Sequence, residues 1–226
     1  MLVLAVDTSA AVVSVALADV TDHSVEPVAS RDVPAPNRHG ELLAALAAEV
    51  LDEANAAPAS LAAVAAGLGP GPFTGLRVGV VTARTMSDAL GVPAYGACSL
   101  DALACAVAVD RPFLVCTDAR RKQVYWARYD ANGERVEGPD IAAAATVADR
   151  FGGSVPVVVG VGASLYADDL AVFERVEGVD FASAAGVIHL VAQRVLDRRP
   201  SDVMEPMYLR RPDAQPPGRP KSVLPV

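Results

Sequence analysis

Aromatic rings are scarce in this sequence, at 5% of residues with a single tryptophan, although 52% of the chain is hydrophobic. Ala, Val and Leu must therefore fill the interior, and small side chains favour closely packed helices and narrow layers. That apolar share excludes disorder for the body of the chain. Histidine is equally rare. His23, His39 and His189 lie far apart, none pairs at i, i+4, and no His-Glu-x-x-His occurs, so zinc-type patterns are excluded. The three cysteines, Cys98, Cys105 and Cys116, have no Cys-x-x-Cys spacing; an odd number in apolar surroundings predicts buried thiols in a reducing compartment. Positive charge is short too, with 19 Lys and Arg against 27 Asp and Glu and a net charge of −8. A chain that grips nucleic acid alone needs a basic face. Only Arg120-Arg121-Lys122 and Arg210, Arg211, Arg219 and Lys221 run that way, so RNA or DNA contact would rely on another subunit. Every long apolar run is broken by Gly, Pro or charge and no signal peptide is visible, so the expected location is cytoplasmic, with no membrane partner.

What is present is a repeated α/β pattern, with 226 residues giving room for one large domain or two small ones. Leu2–Val6 is a continuous apolar run, the mark of a strand buried on both faces. Val13, Val15 and Leu17 alternate with small residues, which predicts a half-buried strand, and a third strand over Ser24–Arg31 completes an antiparallel meander. A helix is expected over Arg38–Asn55, with Leu42, Leu43, Leu46, Val50 and Leu51 in a broad apolar stripe. His39 reads as a capping or surface residue. Strands are expected at Leu61–Leu68 and Pro93–Ala97, and Ser99 reads as the N-cap of a helix Leu100–Ala108. The second half starts over: a strand Phe113–Thr117 ending at Asp118, a short turn, then Gln123–Tyr129. Asp7 and Asp19 stand twelve residues apart, as do Asp118 and Asp130. The match suggests two related lobes, residues 1–108 and 109–200. Asn132-Gly133 signals a hairpin. Helices are expected at Ile141–Arg150, Ser164–Phe173 and Ser183–Arg198, and a strand at Val155–Val161. The proline-rich remainder, 201–226, reads as a tail in which only Met207-Tyr208-Leu209 could dock and the rest is mobile.

The most informative stretch is Gly67–Leu90. Glycines and prolines crowd a turn, Gly69-Pro70-Gly71-Pro72, and a helix runs from Phe73 until Gly91-Val92-Pro93 stops it. Gly75, Gly79 and Ala83 recur every fourth residue on one face, flanked by Phe73, Leu76 and Val80. Glycine inside a helix costs about 1 kcal/mol relative to alanine. Two on one face imply that another backbone lies very close. Three arrangements satisfy that: packing on the chain's own sheet, a seam with another subunit, or a phosphate cradle at the helix start. No Gly-Lys-Ser/Thr follows, so this is not a P-loop.

Asp7 and Asp118 end equivalent strands and would face each other across a cleft between lobes. Such a pair could orient Mg²⁺ and a nucleotide, or each could cap a turn. No Gly-x-Ser-x-Gly elbow is present.

Four segments together are similar to one family: Asp7-Thr8-Ser9, Gly69-Pro70-Gly71-Pro72-Phe73-Thr74-Gly75-Leu76-Arg77-Val78-Gly79, Asp118-Ala119-Arg120-Arg121, and Pro206-Met207-Tyr208-Leu209-Arg210. They resemble the TsaB (YeaZ) family, with Pro72 where Ser is more usual. The resemblance implies a duplicated actin-like (ASKHA, RNase H-like) α/β fold of two lobes with mixed sheets. It also implies a non-catalytic partner of TsaD in tRNA threonylcarbamoyladenosine biosynthesis. TsaD transfers threonylcarbamoyl to the adenosine 3′ of the anticodon in tRNAs reading ANN codons. The TsaE ATPase would join the complex, tRNA would be contacted mainly through it, and the chain alone would form a homodimer. Pairing through the two N-terminal-lobe helices makes Leu42, Leu43, Leu46, Val50, Phe73, Gly75, Leu76, Gly79, Val80 and Ala83 the expected interface. TsaD carries a His-x-x-x-His metal pair where this chain has Ser99 and Leu103, so no catalytic, cofactor or metal residue is assigned. The competing readings are a stand-alone ASKHA-type ATP-binding enzyme and a metallopeptidase.

Overall fold

The structure is a computed structural model, and it describes residues 1–210. The segment 211–226, which the sequence makes a mobile tail, lies outside the described residues. β1 (Leu2–Asp7), β2 (Val12–Val20) and β3 (Val25–Pro34) form the expected antiparallel meander. α1 (His39–Glu53) crosses back to β4 (Leu61–Gly67), α2 (Phe73–Leu90) to β5 (Ala94–Ala97), and α3 (Ser99–Ala104) follows. β4 and β5 add in parallel, giving the sheet order β3-β2-β1-β4-β5. α2 ends as expected, with Gly91 in the left-handed region (φ 67°) closing its last turn.

The second half repeats the plan: β6 (Phe113–Asp118), β7 (Gln123–Tyr129), β8 (Arg135–Ala143), α4 (Ala144–Phe151), β9 (Val157–Val159), α5 (Val161–Leu165), β10 (Glu174–Arg175) and α6 (Ala184–Leu196). Its sheet order is β8-β7-β6-β9-β10, with the same antiparallel and parallel pairings in the same places. The chain therefore has the duplicated, actin-like two-lobe fold with mixed sheets.

Several boundaries differ from expectation. Ile141 lies in β8, and α4 starts only at Ala144, because Ile141–Ala143 still pair with Gln123–Tyr125. The helix expected at Ser164–Phe173 does not form: α5 lies earlier and shares only Ser164 and Leu165 with it, turns follow, and then the short strand β10. Ser99 is not an N-cap: Cys98 occupies that position, and the Ser99 hydroxyl is spent on Asp7 and the Gly69 N–H.

The layers run α1/α2, first sheet, α3/α6, second sheet, α4/α5. Leu4 and Val6 of β1 face the cluster of α1 and α2, while Val3 and Ala5 face α6. β2 was expected to be half-buried, yet it is covered on both faces. The reason is α6. It follows the second sheet in the chain but packs on the first, over Ala16 and Ala18, whose small side chains leave room for it. α6 also crosses α3 at Gly186, where a Cβ would come within 2.3 Å of the Ala102 carbonyl oxygen. The start of α6 is held from the opposite lobe, where the Ala184 N–H donates to Ser14 Oγ at 2.7 Å, and by its own N-cap, Ser183, whose Oγ accepts from the Gly186 N–H. Removing the cross-lobe cap by Ser14→Ala leaves a buried N–H unpaired and is expected to cost about 1–2 kcal/mol. A urea denaturation series on the two proteins measures it.

Candidate functional site

The turn after β1 forms the first-lobe side of the cleft. Asp7 is 2% exposed. Its Oδ1 accepts from the Ser9 N–H (2.8 Å) and Ser9 Oγ (2.6 Å), and its Oδ2 accepts from Ser99 Oγ (2.6 Å). Burial raises the Asp7 carboxyl above its ordinary value, and the three hydrogen bonds only partly offset it. Thr8 Oγ1 donates to the Gly75 carbonyl (2.8 Å) and accepts from the Gly79 N–H (3.0 Å). The turn is thus bolted to the first two turns of α2.

The opposing turn joins β6 and β7. Asp118 Oδ1 accepts from the Arg120 N–H (2.7 Å) and from the Tyr166 hydroxyl (2.8 Å). Arg120, Arg121 and Lys122 all have left-handed backbones, with φ of 63°, 55° and 58°. Both aspartates therefore act as turn acceptors. On the first-lobe side a cavity of about 290 Å³ is lined by Ala10, His39, Gly40, Pro72 and Gly75 among others, and Arg120 reaches it from the second lobe. His39 Nε2 lies 2.7 Å from the Ala10 carbonyl oxygen, tying α1 to the β1–β2 turn. Tyr125 donates from its hydroxyl across the cleft to the Gly71 carbonyl at 3.4 Å.

The expected interface residues do not share one surface. Leu43, Leu46, Val50, Val80 and Ala83 are buried against the first sheet, and Leu76 is buried beside the Gly69 turn. Gly75 and Gly79 face inward as well: a Cβ on Gly75 would lie 2.6 Å from the Thr8 carbonyl oxygen, and one on Gly79 2.3 Å from Thr8 Oγ1. The backbone that the glycine ridge admits is the chain's own β1–β2 turn. Leu42 is half-buried, and Phe73 alone of the set is well exposed. The open face of α2 carries Phe73, Arg77 and Val81 instead, and the neighbouring face of α1 is smoothed by Ala44, Ala45 and Ala48. Phe73 (42% exposed) packs against Tyr208 with ring centroids 4.9 Å apart and the planes tilted by 32°. The Arg77 guanidinium sits 4.0 Å over the Phe73 ring and donates from Nε to the Tyr208 hydroxyl at 3.0 Å. The signal for this face was in the sequence: Phe73, Arg77 and Val81 recur every fourth residue opposite Gly75, Gly79 and Ala83.

Ser99 and Leu103 are both fully buried. Among the described residues, no three His, Cys, Asp or Glu side chains cluster to hold a metal ion, and no helix is long and apolar enough to cross a membrane. Cys98 and Cys116 are buried, their thiols pushed up to about 11 and about 12 by burial, whereas Cys105 is exposed.

Residues 33–160 match the family described as TsaD, tRNA N6-adenosine threonylcarbamoyltransferase. An uncharacterized protein of Mycobacterium tuberculosis is 40% identical over 214 residues, covering 95% of this chain and 94% of that protein. One of Mycobacterium leprae is 37% identical, and there the alignment spans 95% of this chain but only 56% of the longer relative. The Escherichia coli tRNA threonylcarbamoyladenosine biosynthesis protein TsaB is 31% identical over 139 residues, 59% of this chain and 58% of that protein. Among solved structures, a Pseudomonas aeruginosa protein with similarity to peptidase YeaZ superposes with a TM-score of 0.75 at 25% identity, covering 92% of this chain and 99% of that one. Motifs, fold and relatives agree: this chain belongs to the TsaB (YeaZ) family.

Proposed function

We propose that this chain is a non-catalytic subunit in tRNA threonylcarbamoyladenosine biosynthesis, one that docks and activates a TsaD partner. The observation that carries the reading is the state of Asp7. In a nucleotide-handling enzyme of this fold, the carboxylate ending the first strand would need free lone pairs toward the cleft; here it is sealed and shared among Ser9 and Ser99. TsaD would perform the transfer to the adenosine 3′ of the anticodon in tRNAs reading ANN codons. TsaE would join the assembly, tRNA would be held mainly by the partners, and the chain alone would pair with itself. The division into lobes 1–108 and 109–200 with a tail from 201 belongs to the same reading.

The docking surface in this proposal is the outer face of α1 and α2, with Phe73, Arg77 and Val81 at its centre. Phe and Arg are anchor types at interfaces. The buried members of the expected set support this face from beneath. Val81 is 59% exposed and belongs to none of the buried clusters. Val81→Glu is therefore expected to leave the circular dichroism spectrum and unfolding midpoint unchanged while weakening co-purification with TsaD at least tenfold. Undiminished co-purification would move the docking surface elsewhere. Full modification of tRNA by TsaD and TsaE without this chain would end the proposal itself.

The second reading, an ATP-binding enzyme, draws on the cleft cavity, which gathers the starts of two long helices and Arg120. It predicts heat on titration with Mg-ATP that Asp7→Asn abolishes. The non-catalytic-subunit reading predicts none from the isolated chain.

A further inference from the structure

After α6 the chain does not leave the body. Residues 201–210 run along the first lobe and finish on the second. Ser201 Oγ accepts from the Ala94 N–H, Asp202 accepts from the Gly96 N–H, and the Asp202 N–H donates to the Ala94 carbonyl. Those contacts cover β5, which is the edge strand of its sheet. Arg194 pairs with Asp202 and donates to the Gly96 carbonyl at 2.9 Å, fixing the root of the segment. Farther on, the Met207 N–H donates to the Leu68 carbonyl at 2.7 Å, and Tyr208 is seated on Phe73 and Arg77. Two residues later Arg210 reaches the second lobe. Its Nη1 donates to the Ala119 carbonyl at 2.6 Å, and its Nη2 donates to the Gln123 side chain.

The geometry points to a latch. Arg210 is the catch that closes the mouth of the cleft, and it stays engaged only while Tyr208 is seated on α2. The hydrogen bond from Tyr125 to Gly71 also crosses the mouth, but it is long and uncharged. Arg210 supplies a charged donor that grips both ends of the β6–β7 turn, whose three residues in the left-handed region carry strain and need outside support. Because only one residue separates Tyr208 from Arg210, lifting one pulls on the other. Whatever binds on the Phe73–Arg77–Tyr208 stack therefore changes how tightly the lobes are held, and the coupling is reciprocal. The latch is a property of the chain alone and holds whether or not that face is where a partner docks.

The test is hydrogen exchange on the full chain, followed at Ala119, Arg120 and Gln123. Their N–H groups are bonded within the turn, to the Gln123 carbonyl, Asp118 Oδ1 and the Arg120 carbonyl respectively. Arg210→Ala should speed their exchange about tenfold, as expected for losing a charge-assisted support, with no change at Val3–Val6 in β1. Tyr208→Ala should do the same although the ring and hydrogen-bond partners of Tyr208 are Phe73 and Arg77 of α2. The double variant should add little to either. Arg210→Lys, which keeps the charge but not the two-pronged grip, should be intermediate and reports if the alanine variant misfolds. Unchanged exchange in the turn on Arg210→Ala overturns the catch. A turn that loosens with Arg210→Ala but not with Tyr208→Ala overturns the coupling. Equal acceleration in β1 and in the turn overturns both, since it shows only global loosening.

Discussion

Gly79→Leu is expected to destabilise the first lobe rather than merely strip the protein of a docking face. The position lies in the interior of α2, and a Cβ there would meet Thr8 Oγ1 at 2.3 Å, well inside any real contact. That oxygen is not a flexible tip free to swing aside. It donates to the Gly75 carbonyl and accepts from the Gly79 N–H, so displacing it breaks two buried hydrogen bonds and leaves the helix groups unpaired. The remaining carbons of leucine have nowhere to go, because Gly75 on the preceding turn is equally tight against the Thr8 carbonyl. Overpacking and lost hydrogen bonds together should cost about 3 kcal/mol or more, lowering the melting temperature by about 10 °C in a chain of this length. If the ridge were instead an open seam between subunits, the substitution would spare the monomer's melting temperature and abolish only its pairing. Calorimetry and size-exclusion chromatography on the same sample separate the two, with Val81→Leu on the open face as a control that should melt normally.

The same helix shows what was legible from residues alone. Its limits were: prolines and glycines fix the start, and Gly91 fixes the end. The need for a close backbone was legible too, since two interior glycines on one face have no other physical reason. Which backbone was not, because every apolar stripe looks alike until the sheet is placed. Choosing α1 and α2 as the docking helices and then naming their apolar residues selected the inner face, the one the lobe consumes. The spacing of Asp7 and Asp118 revealed the duplication, since strand, turn and strand recur at a fixed interval even where side chains differ. The start of β8 was announced by the Asn132-Gly133 hairpin, but its extent was not, because Gly138, Pro139 and Asp140 interrupt its pattern, and α5 was placed too late because helix and turn share the same small and acidic residues. The passage of α6 onto the first sheet is a long-range fact. Its one trace in the sequence is the smallness of Ser14, Ala16 and Ala18, and alternation alone made that side look like a solvent face. Ser99 illustrates the same limit: a serine before an apolar run suggests a cap, but a buried carboxylate from ninety-two positions earlier claims the hydroxyl.

That carboxylate gives the second large expectation. Asp7→Ala removes the acceptor for the Ser9 N–H, Ser9 Oγ and Ser99 Oγ, all in a site closed to water. Buried donors left without partners cost about 1–3 kcal/mol each, so a loss of about 3 kcal/mol or more is expected in urea denaturation at neutral pH. Asp7→Asn should behave in the opposite sense. The amide keeps an oxygen for Ser9 and turns an N–H toward Ser99, whose oxygen can accept, and it carries no charge. In the native protein burial lifts the Asp7 pKa above that of the unfolded chain. The folded state therefore binds the proton more tightly. The stability this group contributes is fully present below the unfolded value of 3.8 and is lost as pH rises through the folded one. Replacing the carboxyl by an amide should abolish that part of the pH dependence, leaving a flatter profile and equal or greater stability at neutral pH. If the profiles of the native and Asp7→Asn proteins coincide, the carboxyl is not held above its ordinary range. If Asp7→Asn falls as far as Asp7→Ala, the site needs the negative charge itself, and the carboxylate is kept for an electrostatic purpose that a turn acceptor does not have.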